Sequence, residues 1–313
     1  MDMKTFEDSK FVLHRTKFFI LITLQIPAII ISLLIFAFFI KHRTTLNALQ
    51  NQALLILLIV TFIELVADLP MPINYYYLGY VSPATPSYCN WWTFFEYSIH
   101  LISELLMATI SIQRHALIFS PNIFQSRLNL YVLYYAPLAI CVTYPFIFYF
   151  IIILIAPCDG TQWDFTSNMC GYANCYLLYD KFLGMFDWAA NNGSPVVVIM
   201  LANLALVIRV IRHKRRQQGG YSWKKQRRMT VQLVLISSLY LFAWLPSLTI
   251  GVTQIMNSPI FLANIQTDYT LDFMYLISLL SPWIYIKLLP DFKRWILKKV
   301  RRDELTRNTV RPT

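Results

Sequence analysis

The sequence predicts an all-α integral membrane protein, a bundle of seven transmembrane helices followed by a short amphipathic helix. Three observations predict it. Seven apolar segments approach or exceed the roughly 20 residues that a helix needs to cross a bilayer. Charged residues make up only 14% of the 313, against 57% hydrophobic, where a soluble domain carries about a quarter. The Lys and Arg residues fall in short blocks between the apolar runs, most of them on alternate connections.

The first apolar run, 18–40, is too long for the hydrophobic part of a signal peptide and lacks a small-residue cleavage site, so it reads as an uncleaved first span. Further spans are expected at 52–75, 91–119, 130–155, 182–211, 230–256 and 269–289. Residues 1–17 then form a short extracellular N-terminus, 18–289 one membrane domain, and 290–313 an amphipathic helix with a cytoplasmic tail. The fifth span begins raggedly, because Asp187, Asn191 and Asn192 interrupt it before Pro195. Pro27, Pro70, Pro145, Pro195, Pro246 and Pro282 lie inside spans, where neighbouring helices satisfy the carbonyls they free. After Pro290, Phe292, Trp295, Ile296 and Val300 share one helical face flanked by Lys293, Arg294, Lys298 and Lys299, the pattern of a helix lying in the membrane interface. No cysteine follows to carry a palmitoyl chain.

Basic residues set the orientation. Lys41, Arg43, Arg114, Arg127, the block from Arg209 to Arg228 and the block from Lys287 to Arg311 share one side. Only Lys4, Lys10, Arg15, Lys17 and Lys181 fall on the other, so the N-terminus is expected outside and the C-terminus inside a plasma membrane. The net charge of +11 is thereby a matter of topology and of attraction to anionic lipid, and no nucleic-acid partner is implied. No internal repeat points to a transporter built from two related halves. The five histidines, His14, His42, His100, His115 and His213, form no metal-ligand spacing and there is no nucleophile elbow. No enzyme, catalytic residue or cofactor is expected.

Four motifs stand in order on these spans. Cys89 opens span three and Arg114 closes it in Ser111-Ile112-Gln113-Arg114-His115. Span six carries Phe242-Ala243-Trp244-Leu245-Pro246, and span seven Ser281-Pro282-Trp283-Ile284-Tyr285 with Phe292 beyond. Together they resemble the cysteine, Asp/Glu-Arg-Tyr, Cys-Trp-x-Pro and Asn-Pro-x-x-Tyr marks of rhodopsin-like (class A) G-protein-coupled receptors, over nearly the whole chain. The resemblance implies a receptor for an extracellular small molecule or peptide that activates a heterotrimeric G protein by helix rearrangement. Arg114, Tyr240, Trp244, Pro246, Pro282 and Tyr285 would form the switch.

The chain also departs from that pattern. Gln113 and Gln226 replace the acids that hold the arginine in the family, Ser281 replaces the asparagine, Thr61 stands at the sodium-binding aspartate, and Asn203 stands where span five usually has a tyrosine. A divergent member with a weak inactive-state latch is expected, without the sodium site despite Ser103. Tyr275 occupies the position where an opsin has its lysine, so retinal is not expected.

Cys141 lies within span four and reads as a small buried hydrophobe. Cys89, Cys158, Cys170 and Cys175 are extracellular and allow three pairings that sequence does not choose among. The resemblance implies that Cys89 joins the loop before span five. Cys175 is assigned there, with Cys170 as the alternative, and Cys158–Cys170 as a second bridge.

Glu96, His100, Ser103 and Met107 form one stripe on span three. Glu96 stands where amine receptors of this family place their ligand-binding aspartate, and Tyr275 where a tyrosine supports it. A ligand site of Glu96, His100, Trp244 and Tyr275, taking a cationic amine or peptide, follows from the resemblance. The bland reading is equally open: Glu96 protonated, or bonded to His100 one turn below. Glu64 and Asp68, one turn apart on span two, and Glu104 add acids at membrane depth, either a sensor of protons or cations or an interhelical network. A seven-helix ion or proton-coupled transporter or channel using these acids is the competing function. Asn192-Gly193-Ser194 matches a glycosylation pattern, but its place at span five and the following Pro195 argue against its use.

Overall fold

The computed structural model describes residues 3–156, 163–171, 176–177, 180–216, 221–256, 262, 265–289, 292–296 and 301. Within these the chain is helical, with no strand. The spans are α1 (Met3–Lys41), α2 (Leu49–Leu78), α3 (Pro86–Phe119), α4 (Arg127–Ile155), α5 (Lys181–Arg212), α6 (Tyr221–Met256) and α7 (Asp272–Leu288). Packing runs round a closed ring, α1 against α2 and α7, and α6 against α5 and α7, with α3 touching α2, α4, α5 and α6. One end of the bundle, at the Cys89 disulfide, is the disulfide end, and the other, where α3 carries Arg114, is the arginine end.

Five helices, α1, α2, α4, α5 and α6, are each long and apolar enough to cross a membrane. α3 is not, because it carries Glu96, His100, Glu104 and Arg114, all buried. Its central place explains this. Its four ionisable side chains face protein, and ionisable side chains within a membrane face the bundle interior. Many of the apolar residues left exposed, among them Phe19, Ile30, Ile147 and Leu204, lie on the outer helices, as lipid contact requires.

Three spans widen at a proline. The segments Glu64–Asp68, Tyr131–Tyr135 and Phe186–Gly193 are π-helical, and Pro70, Pro137 and Pro195 each follow two residues later. A proline ring collides with the carbonyl four residues back and has no N–H to offer it. A π turn relieves both problems by passing the bonding one residue further back. In α2, the N–H of Leu69 donates to Glu64 O at 2.9 Å. In α4, the N–H of Ala136 donates to Tyr131 O.

α1 begins at Met3, well before the apolar run. Its basic stretch packs on the tyrosine-rich end of α2: His14 lies 5.4 Å from the rings of both Tyr75 and Tyr76, and Arg15 sits 4.9 Å over Tyr77. After α7, Phe292 is buried against Phe38 at 5.5 Å and Trp295 faces Phe38 at 5.9 Å, while Lys293 and Arg294 are exposed. The apolar face expected of this helix therefore docks on α1, and Val300, Lys298 and Lys299 lie outside the described residues.

Candidate functional site

The disulfide end is roofed by the segment 163–171. Cys89 at the start of α3 bonds Cys170, with Cα atoms 5.8 Å apart. This corrects the assignment of Cys89 to Cys175 in favour of the alternative, Cys170. It also removes the Cys158–Cys170 bridge, since Cys170 is already taken; Cys158 and Cys175 lie outside the described residues. The path of the roof decides the pairing. Val81 N–H donates to Phe165 O (2.8 Å), Tyr75 OH donates to Thr166 O (3.0 Å), and Asp164 N–H donates to Cys170 O (2.9 Å). Met169 and Cys170 adopt left-handed φ values of 53° and 54° that turn the chain inward, where both are buried. Partial burial pushes the Asp164 carboxyl up, but hydrogen bonds from Ser167 and Thr166 outweigh this and hold it below the usual range. Cys141 is a free, buried thiol 3.1 Å from Thr109 Oγ1.

Beneath the roof, Lys17 of α1 meets Asp272 of α7 at 2.6 Å. Tyr76 OH donates to the same carboxylate at 2.7 Å, and Asn168 Nδ2 donates to Tyr76 OH at 3.2 Å. One ion pair thus ties α1, α2, α7 and the roof.

Deeper lies a set of buried acids. Glu96 is not bonded to His100, whose Nε2 is 3.9 Å away. Instead Tyr275 OH donates to Glu96 Oε1 at 2.7 Å. The imidazole ring stands 5.6 Å from the Tyr275 ring and 6.3 Å from Trp244, so the structure brings together Glu96, His100, Trp244 and Tyr275. Glu64 and Asp68 face the same imidazole from α2, each at 3.9 Å.

A cavity of about 40 Å³ is lined by Glu96, His100 and Trp244 and by Asp187, Trp188 and Asn192 of α5. In the sequence Asp187 reads only as an interruption of span five. It is a hub: Tyr149 OH and Tyr176 OH each donate to it at 2.8 Å, and Asn191 Nδ2 donates at 2.9 Å. Asn192 Nδ2 donates to the Asp187 carbonyl (2.8 Å), and Tyr144 OH donates to Asn191 Oδ1 (2.7 Å). The signal that would have singled it out is a carboxylate at membrane depth. Asn192, buried inside this network, is not a surface position for a glycan.

Below the cavity, Ser103 Oγ and Tyr240 OH share a hydrogen bond of 2.5 Å joining α3 to α6. Pro246 and Pro282 lie inside α6 and α7. At the arginine end Arg114 is only 2% exposed, and its two terminal nitrogens make no hydrogen bond among the described residues. Gln113 Nε2 points away, donating to the carbonyls of Leu133 (3.2 Å) and Tyr134 (3.0 Å) of α4. Tyr285 OH donates to Leu54 O at 2.8 Å, and Tyr134 OH donates to Leu49 O. Ser281 and Thr61 bond only carbonyls of their own helices. The side chain of Gln226 lies outside the described residues.

Seven spans round a polar third helix, a disulfide from its start to the following roof, and a buried arginine at its far end define a seven-helix receptor. Residues 31–285 match the family described as 7 transmembrane receptor (rhodopsin family). The chain belongs to this family, the class A G-protein-coupled receptors, and is a multi-pass membrane protein that signals as a receptor. Such receptors work between an extracellular ligand and a G protein at the plasma membrane and are generally not enzymes. No curated protein matches the sequence.

Proposed function

We propose that this receptor binds a cationic ligand, an amine or a basic peptide, at the disulfide end, and activates a heterotrimeric G protein at the arginine end. The disulfide end, with the N-terminus, faces outside, and the C-terminus faces the cytoplasm. One observation carries the ligand class: the cavity lining includes two acids, Glu96 and Asp187, and the rings of Tyr97, Tyr149, Trp188 and Trp244, with no Lys or Arg among its described lining residues. A cation gains there both from Coulomb attraction that water screens little and from aromatic faces.

At about 40 Å³ the cavity has room for only a few waters, whereas ligand sites usually enclose about 300–1,000 Å³. A ligand therefore binds an arrangement in which the helices have parted. Its preference for that arrangement shifts the population toward it. Trp244 lines the cavity two residues before Pro246, and Tyr240 bonds Ser103 one turn further toward the arginine end, so parting there moves α6 relative to α3 and frees Arg114 and Tyr285 for the G protein.

The test is a cellular assay of G-protein activation with biogenic amines and amidated peptides on wild type, Glu96→Gln and Arg114→Ala. Removing the charge that pairs with the ligand should weaken the response about 100-fold, and Arg114→Ala should abolish signalling. Equal potency on Glu96→Gln would remove the cationic ligand. Ion flux without G-protein activation in wild type and Arg114→Ala alike would favour a transporter instead.

A further inference from the structure

We propose that Asp68, Glu96 and His100 form a site for a divalent transition-metal ion of the zinc class, set between α2 and α3 in the disulfide half of the bundle. The proposal is independent of whether the receptor answers amines.

The geometry is the first support. One ligand atom from each of the three residues lies within 4.8 Å of the others, and His100 Nε2 is 3.9 Å from both Asp68 Oδ2 and Glu96 Oε1. Such separations are too long for hydrogen bonds. In a tetrahedral zinc shell with bonds of about 2.0–2.2 Å, donors stand roughly 3.4 Å apart. The imidazole needs to draw about half an ångström nearer each carboxylate, and the two carboxylates, now within 4.8 Å of each other, close toward the same spacing by turning about side-chain torsions.

The second support is that the donors of Asp68 and His100 are otherwise unused. Both Asp68 oxygens and His100 Nε2 are buried and make no hydrogen bond among the described residues. Asp68 is 0% and His100 6% exposed. Buried polar atoms nearly always have a partner, and an imidazole nitrogen aimed between two carboxylates has the chemistry of a ligand. Among the described residues, the basic side chain within ion-pair distance of these carboxylates is His100. A divalent ion would cancel the two carboxylate charges.

The third support is the surrounding shell. Metal-bound histidines characteristically present their other ring nitrogen to a carboxylate or carbonyl, and His100 Nδ1 faces Glu64 Oε1 at 3.9 Å. Ligating carboxylates are in turn hydrogen-bonded, as Glu96 is by Tyr275. The nitrogen donor selects the class of ion. Magnesium and calcium take oxygen shells of six or more ligands, whereas an imidazole with two carboxylates suits zinc and its neighbours.

The experiment uses the full chain in lipid nanodiscs, loaded with Zn²⁺, dialysed free of loose metal and assayed by elemental analysis. A single zinc per chain is expected in the wild type, with a raised thermal unfolding midpoint that Mg²⁺ and Na⁺ do not reproduce. Asp68→Asn and His100→Gln should reduce the zinc to background. Tyr275→Phe should keep the site but weaken it about 10- to 100-fold. X-ray absorption on the wild type, which depends on no variant folding, should show one imidazole among nitrogen and oxygen ligands. The proposal is overturned by wild type that retains no zinc, by Asp68→Asn that retains as much, or by a spectrum without imidazole. Because no readout is signalling, loss of the amine response and loss of metal binding are told apart.

Discussion

Asp187 accepts hydrogen bonds from two tyrosines and an asparagine on its side-chain oxygens, which makes it the best-satisfied acid in the bundle. Each tyrosine comes from a different part of the chain, Tyr149 from α4 and Tyr176 from the segment before α5. Interhelical hydrogen bonds in membranes contribute about 0.6 kcal/mol on average and up to about 1.7. Tyr149→Phe should therefore lower stability by about 1 kcal/mol, and Asp187→Ala by more than that, since it strands three donors together. Thermal unfolding of purified receptor measures both, and an Asp187→Ala effect no larger than that of Tyr149→Phe would count against the hub. None of this was legible locally. The sequence shows Asp187, Asn191 and Asn192 as breaks in hydropathy, and the hydroxyls that make them a network lie elsewhere in the chain. The stripe Glu96, His100 and Ser103 was legible, because helical spacing alone puts it on one face. What spacing does not convey is that Glu96 takes its bond from Tyr275, across the bundle, and not from His100, its neighbour on the same face.

The helices themselves were readable from apolar length, and their interruptions from proline. α1 outran its apolar run because its basic residues found tyrosines on α2, a contact that hydropathy does not encode. The disulfide partner is the alternative, Cys170, and not Cys175 for a related reason: the choice between them depends on how the roof is tied to Val81 and Tyr75, not on cysteine spacing. One contact between helices carries a sharp prediction. A Cβ added at Gly251 of α6 would stand 2.8 Å from the ring of Trp188 of α5, inside any allowed contact. Replacing glycine by alanine in a helix gains about 1 kcal/mol of propensity, whereas overpacking a rigid ring costs about 1–3 kcal/mol. Gly251→Ala should therefore be neutral to destabilising by up to about 2 kcal/mol, and because Trp188 lines the cavity, it should alter ligand potency as well. A more stable receptor with unchanged potency would show that α5 and α6 are not in close contact there.

For the molecule as a whole, the balance between two helix arrangements matters most, and Arg114 sits where that balance is set. Among the described residues it meets no acid, and Gln113 is engaged with the carbonyls of α4. An arginine without an ionic latch leaves little to favour the resting arrangement, so basal signalling should be measurable. Gln113→Glu cannot donate to those carbonyls in its charged form, and its carboxylate is free to turn to Arg114. Basal activity of Gln113→Glu, alone and with Gln226→Glu, should fall below wild type in a ligand-free assay, and an unchanged level would show that the balance is set elsewhere. The π turns ahead of Pro70, Pro137 and Pro195 have a bearing on all such comparisons. Each takes roughly one residue more than an α turn, which advances the helix by about 100° of phase. Positions on the two sides of such a turn cannot be placed on a single helical wheel. The halves of α2, α4 and α5 are angularly independent, so each span presents one sequence register to its neighbours at the roof and another to those around the arginine.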